Sequence, residues 1–114
     1  MEQKPKTNHE MVNVFNSLHP LIIALYEEIQ VLSKKKPDGT LNASKVQFIN
    51  RLLADIKAFL KDEPGDKFLD MLNDEDLPQY SDVVLILSQY SASMQKFKNK
   101  YYGWVGNKQT WRVD

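Results

Sequence analysis

Apolar residues recur along the chain in three long runs, each spaced alternately by three and four. The first is Met11, Phe15, Leu18, Ile22, Leu25, Ile29 and Leu32. The second is Val46, Ile49, Leu53, Ile56 and Leu60, widened by Leu52 and Phe59. The third is Val83, Leu87, Tyr90, Met94, Phe97 and Tyr101, widened by Val84 and Ile86. This rhythm puts each set on one face of an α-helix and predicts three long amphipathic helices. A fourth, shorter apolar group (Phe68, Leu69, Met71, Leu72) lies among Asp66, Asp70, Asp74, Glu75 and Asp76 and predicts a short amphipathic helix or turn.

Boundary signals agree with this division. Thr7 and Glu10 have the spacing of a capping box at the start of the first helix. Lys34, Lys35 and Lys36 suit its C-terminus, and Pro37-Asp38-Gly39 reads as a turn. Pro20 falls inside the first run. It either kinks one helix or sits in the first turn of a fresh helix capped by Ser17. The second helix is expected from Asn42 or Ser44 to Pro64-Gly65. The third is capped by Ser81 or started by Pro78, has Asp82 in its first turn, and stops at Gly103. Alternating three-four spacing favours shallow crossing angles, and the turns at 37–43 and 63–66 are short. The expected fold is therefore all-α: an antiparallel bundle of three long helices plus one short helix, of the four-helix up-down type.

The last residues break the pattern. Trp104-Val105 and Thr110-Trp111 are strand-forming pairs on either side of Gly106-Asn107, which predicts a small hairpin or an extended aromatic tail. The chain thus divides into a flexible tail over residues 1–6, one bundle domain over 7–103, and a C-terminal aromatic and basic segment over 104–114 packed on the bundle.

The 114 residues suffice for one domain and one core. There is no cysteine, which excludes a disulfide framework and thiolate metal sites. The longest apolar run, Leu21 to Tyr26, is too short to cross a bilayer, and the polar N-terminus lacks the apolar stretch of a secretory signal. A cytoplasmic protein with no membrane contact is the expectation.

Net charge is zero, from 15 basic and 15 acidic residues, which disfavours wholesale wrapping of nucleic acid. The charges are nevertheless segregated. Between Asp62 and Asp82 eight acids face Lys67 alone, whereas Lys96 to Arg112 is purely basic. The acidic segment is read either as a solvated cap or as the complement of the basic one, within one molecule or between two.

Catalytic patterns are missing. Glu27 and Glu28 are adjacent on a helix and diverge by about 100°. Neither His9 nor His19 has a second histidine at ligand spacing, no serine lies in a Gly-x-Ser-x-Gly elbow, and the four glycines are dispersed. No catalytic residue, no cofactor, no metal and no small-molecule substrate are expected.

The segment that stands out combines cations with flat rings: Lys98, Lys100, Tyr102, Trp104, Lys108, Trp111 and Arg112. Tryptophans often cap the end of a small core, and Tyr101 belongs to the third stripe, so structural capping is one reading; such residues also favour protein interfaces. They also suit single-stranded nucleic acid, with rings stacking on bases and cations on phosphates. The leading expectation is a non-catalytic helical interaction module, a small subunit or a self-associating adaptor. It would use this basic-aromatic surface and the acidic segment to bind a protein partner or a second copy, and low-affinity nucleic-acid binding is the alternative. For a homodimer, Phe59, Val84 and Ile86 lie off the main stripes and would form the uncovered face.

Overall fold

The computed structural model describes residues 4–114. Residues 1–3 of the expected tail lie outside them. Three helices, α1 (His9–Lys35), α2 (Ala43–Phe59) and α3 (Tyr80–Tyr101), are followed by a hairpin of β1 (Tyr102–Val105) and β2 (Lys108–Trp111). Among the described residues no helix is long and apolar enough to cross a membrane.

The four-helix arrangement is overturned at its short fourth helix. One 3-10 turn, Asp66–Phe68, is all that forms there, and residues 69–79 run back along the bundle as an irregular strap. Its apolar residues split by side: Leu69 and Leu72 are buried, Phe68 and Met71 exposed. A helix is unfavourable here for identifiable reasons. The Asn73 side chain turns the chain by accepting from the Glu75 and Asp76 amides at 2.8 and 3.0 Å, three acids stand in a row, and Pro78 follows.

Without a helix, the strap's backbone groups must find other partners, and bundle side chains supply them. Asn50 donates to the Leu72 carbonyl and accepts from the Leu72 amide, both at 2.9 Å. The Lys57 ammonium donates to the Leu69 carbonyl at 2.6 Å, and the Tyr90 hydroxyl donates to the Asp70 carbonyl at 2.8 Å. Burial first, and Asp70 second, push the Tyr90 pKa up to about 12, so the hydroxyl remains a donor. The strap is thereby fastened across the seam between α2 and α3.

This strap sets the topology. It delivers the chain to the end where α1 turns into α2. There Thr40 and Gln79 form an antiparallel bridge, the Leu41 amide donates to Pro78, and the Tyr80 amide donates to Gly39. Gly39 must be small, because a Cβ would lie 2.6 Å from the Tyr80 ring. α3 therefore runs parallel to α2, and α1 is antiparallel to both.

The second and third stripes form the core as their spacing implies. Val46, Ile49, Leu53, Ile56 and Leu60 are buried, as are Val83, Leu87, Tyr90, Met94, Phe97 and Tyr101. The first stripe divides. Phe15, Ile22 and Ile29, seven apart, enter the core, while Leu18, Leu25 and Leu32 are only half-buried along the α2 side. Phe59 is buried in the core on α2 while Val84 and Ile86 pack against the core from α3, so the three form no common uncovered face.

Several boundaries differ from expectation. Asn8, not Thr7, caps α1, accepting from the Met11 amide at 2.8 Å. Thr7 is instead extended and buried, pairing with Val113. Pro20 lies inside one continuous helix, so Ser17 starts none and bonds the Asn13 carbonyl instead. Asn42 caps α2 as expected. Neither Ser81 nor Pro78 begins α3. Gln79 occupies the cap without a side-chain bond, and Asp82 lies in the first turn. α3 ends at Tyr101, where the chain turns straight into β1 and takes Gly103 into the strand.

Replacing Asn50 by Ala leaves both Leu72 backbone groups unpaired, so a loss of about 1–3 kcal/mol in unfolding free energy is expected from denaturant titration. An unchanged midpoint would show that the strap is not held this way.

Candidate functional site

The C-terminal segment forms the hairpin, with Tyr102 opposite Trp111 and Val105 opposite Lys108. Its two-residue loop places Gly106 at φ 64° while Asn107 keeps a negative φ, the pattern of a II′ turn. Helix and hairpin together distribute the seven basic and aromatic residues very differently.

Trp111 faces inward. Its ring meets Phe15 edge-on at 5.1 Å and lies 6.1 Å from Phe97 and 5.5 Å from Tyr102. Phe59 joins the same aromatic cluster, 4.6 Å from Phe97. Arg112 is a clamp. Its guanidinium donates to the Lys100 carbonyl, a group left free at the end of α3, and to the Pro5 carbonyl at 3.2 Å. Gly103 leaves room for it, since a Cβ would lie 2.9 Å from the guanidinium. Backbone bonds from the Thr7 amide to Arg112 and from the Asp114 amide to Thr7 tie the N-terminal segment to the same edge.

Lys100 pairs with Glu63 at 3.3 Å, the only ion pair among the described residues, and the Tyr101 hydroxyl donates to the same carboxylate at 3.0 Å. The hydrogen bond with Tyr101, and then Glu63, hold the Lys100 pKa above its ordinary value. The acidic and basic regions thus meet within one molecule, at this pair. Lys98 lies over the Tyr102 ring at 5.1 Å. Of the seven, Trp104 and Lys108 stand exposed on the hairpin, Trp104 at 58%.

Beside the Lys100–Glu63 pair is a cavity of about 230 Å³, floored by Leu60, Leu69 and Phe97 with Lys96 and Asp66 at its mouth. That is smaller than the ~300–1,000 Å³ of ordinary ligand sites. No cluster of potential metal ligands occurs among the described residues.

The larger open feature is the face between α1 and α2. Three adjoining depressions run along it. One of about 520 Å³ is walled by Val14, Leu18, Ala58 and Phe59; one of about 250 Å³ by Leu21, Leu25, Phe48 and Leu52; one of about 170 Å³ by Leu32, Leu41 and Phe48. Asp55 borders the first two, and Leu25 and Phe48 the last two, so the three form one groove. Phe48 is 65% and Leu21 54% exposed. Arg51 and Asp55 flank the middle.

Sequence reasoning passed over this face. Its signal outside the stripes was slight, Leu21 on α1 and Phe48 on α2, because Leu18, Leu25 and Leu52 share the periodicity of the core stripes.

Comparison with known proteins brought no match. No family model, no curated protein and no solved structure matches the chain.

Two predictions follow from this end of the molecule. Trp111→Ala empties part of the aromatic cluster and should lower stability by about 3 kcal/mol, the low end for a large aromatic because the ring is partly exposed. Trp104→Ala should stay within about 0.5 kcal/mol. Equal effects in thermal melts would contradict the inward and outward placement.

His19 stacks on Phe15 at 4.7 Å, and its buried Nε2 has no hydrogen-bond partner among the described residues. Burial, and then Lys98, hold its pKa below the ordinary 6.5. The neutral ring is favoured in the folded state, so its stabilisation is fully present above pH 6.5 and is lost as pH falls through the depressed value. His19→Gln should flatten that part of the stability–pH curve. Superimposable curves for wild type and variant would contradict it.

Proposed function

We propose that this protein is a non-catalytic helical interaction module whose binding surface is the α1–α2 groove. The observation that carries the reading is the exposure of Phe48 and Leu21 within a continuous apolar channel. A monomeric surface rarely presents so contiguous an apolar patch, and such patches mark association sites. The groove's walls are hydrocarbon, and the charged groups at its centre, Arg51 and Asp55, are a rim that orients a partner rather than reacting groups. A cytoplasmic setting and the lack of a cofactor belong to the same reading.

The hairpin supports this function less directly. Trp111 and Arg112 hold it to the bundle and Lys100 is paired, leaving Trp104 and Lys108 as its free edge. A nucleic-acid footprint of that size gives few phosphate neutralisations and a shallow salt dependence. The hairpin therefore serves as a lid on the bundle end.

The test is a retention experiment with the tagged chain as bait, in which every retained protein is quantified, untagged copies of the chain included. Wild type should retain at least one partner that Phe48→Glu loses. Identical retention by both would overturn the reading.

A further inference from the structure

We infer that the occupant of the α1–α2 groove is a second copy of this chain, docked antiparallel about a two-fold axis through the middle of α2. The inference rests on the groove being the interaction surface and names its partner.

The arrangement of α2 is self-complementary. A two-fold axis near Leu53 pairs each residue with the one equally far on the other side. In that register Arg51 of one copy faces Asp55 of the other, and the pair occurs twice. Among the described residues neither has an ionic partner within one molecule, although both border the groove. The same register sets Phe48, the most exposed apolar side chain on α2, against Ala58 of the other copy. Ala58 is small and borders the most spacious of the three depressions, about 520 Å³, with Val14 and Leu18 as its apolar wall. A projecting ring at one end of the face and an open hollow at the other, with opposite charges between them, fit a copy of the same face reversed.

The size is adequate. From Met11 to Leu32 the groove extends about 30 Å, and two adjacent helices are about 20 Å wide. The flat projection of the face is thus roughly 600 Å², close to the ~800 Å² per partner of a standard interface before side-chain relief is included. The chain's zero net charge imposes no long-range repulsion between copies. The strap covers the α2–α3 seam and the hairpin covers the bundle end beside Phe15 and Phe97, whereas this face carries neither and is open to a second molecule.

Sedimentation velocity over a concentration series tests the geometry with two charge reversals, Arg51→Glu and Asp55→Lys. The wild type should sediment as twice the 13.3 kDa chain. Each reversal alone sets like charges together at two places and should weaken the dimer at least about tenfold. An equimolar mixture of the two should recover it, because every facing pair is then opposite in sign. Circular dichroism of each variant checks that the helices are kept. Ala58→Arg, which fills the hollow from an exposed position, should also dissociate the dimer and serves where a reversal disturbs folding.

A wild type monomeric throughout would overturn the inference and leave the groove's function to the retention experiment. A dimer that tolerates both reversals, or whose mixture fails to recover, would overturn the two-fold register. A dimer indifferent to Phe48→Glu would overturn the inference and the groove reading together.

Discussion

The architecture depends on satisfying the backbone of a segment that cannot be helical. Residues 66–79 must travel the length of the bundle, because α2 and α3 lie parallel. The peptide groups at Leu69, Asp70 and Leu72 are partly buried against the helices, and an unpaired group there costs more than an ordinary hydrogen bond contributes. Asn50, Lys57 and Tyr90 meet this demand from two helices at once. The strap is therefore fixed to one seam, with Leu69 and Leu72 sealing the core beneath it. One consequence lies on the opposite side. A bundle of three helices has three seams, and the covering of one by the strap leaves the α1–α2 face to another solution.

The C-terminal end is closed by a different device. A helix ending in a buried corner leaves carbonyls without partners. Arg112, brought back by the hairpin, bonds the Lys100 carbonyl while its backbone amide bonds Tyr101 at 2.7 Å. One side chain links α3, the hairpin and the N-terminal segment at Pro5. Trp111, next to it, completes the aromatic cluster with Phe15, Phe59 and Phe97. The opposed charge regions along the chain reduce, in three dimensions, to a single pair between Glu63 and Lys100. The acids of the strap, Asp70, Asp74, Glu75 and Asp76, face water.

Helix positions were legible because periodicity acts through burial, and the stripes of α2 and α3 are the core. The α1 stripe was legible in part. Its spacing is equally periodic for the core row, Phe15, Ile22 and Ile29, and for the groove row, Leu18, Leu25 and Leu32, and no pattern separates a row buried by the bundle from one left open. The short fourth helix was misread for a related reason. Leu69 and Leu72 have helical spacing, but the Asn73 turn and the lateral bonds from Asn50 and Lys57 decide the backbone, and those partners lie 22 and 12 residues away from Leu72 and Leu69. Thr7 shows the same limit: its capping pattern is local, whereas its pairing with Val113 spans the chain. The basic-aromatic residues were visible as a group, yet only the hairpin's register tells Trp104, facing out, from Trp111, facing in.

Each side of the molecule has its own character: a strapped seam, a capped end and an open apolar face, the last proposed to associate. Hydrogen–deuterium exchange measured at low and high protein concentration tests that division most directly. Protection along residues 14–25 and 46–58 should rise with concentration while the strap at 69–79 and the hairpin at 102–111 stay unchanged. Exchange independent of concentration everywhere, or protection gained in the strap or the hairpin instead, would contradict it.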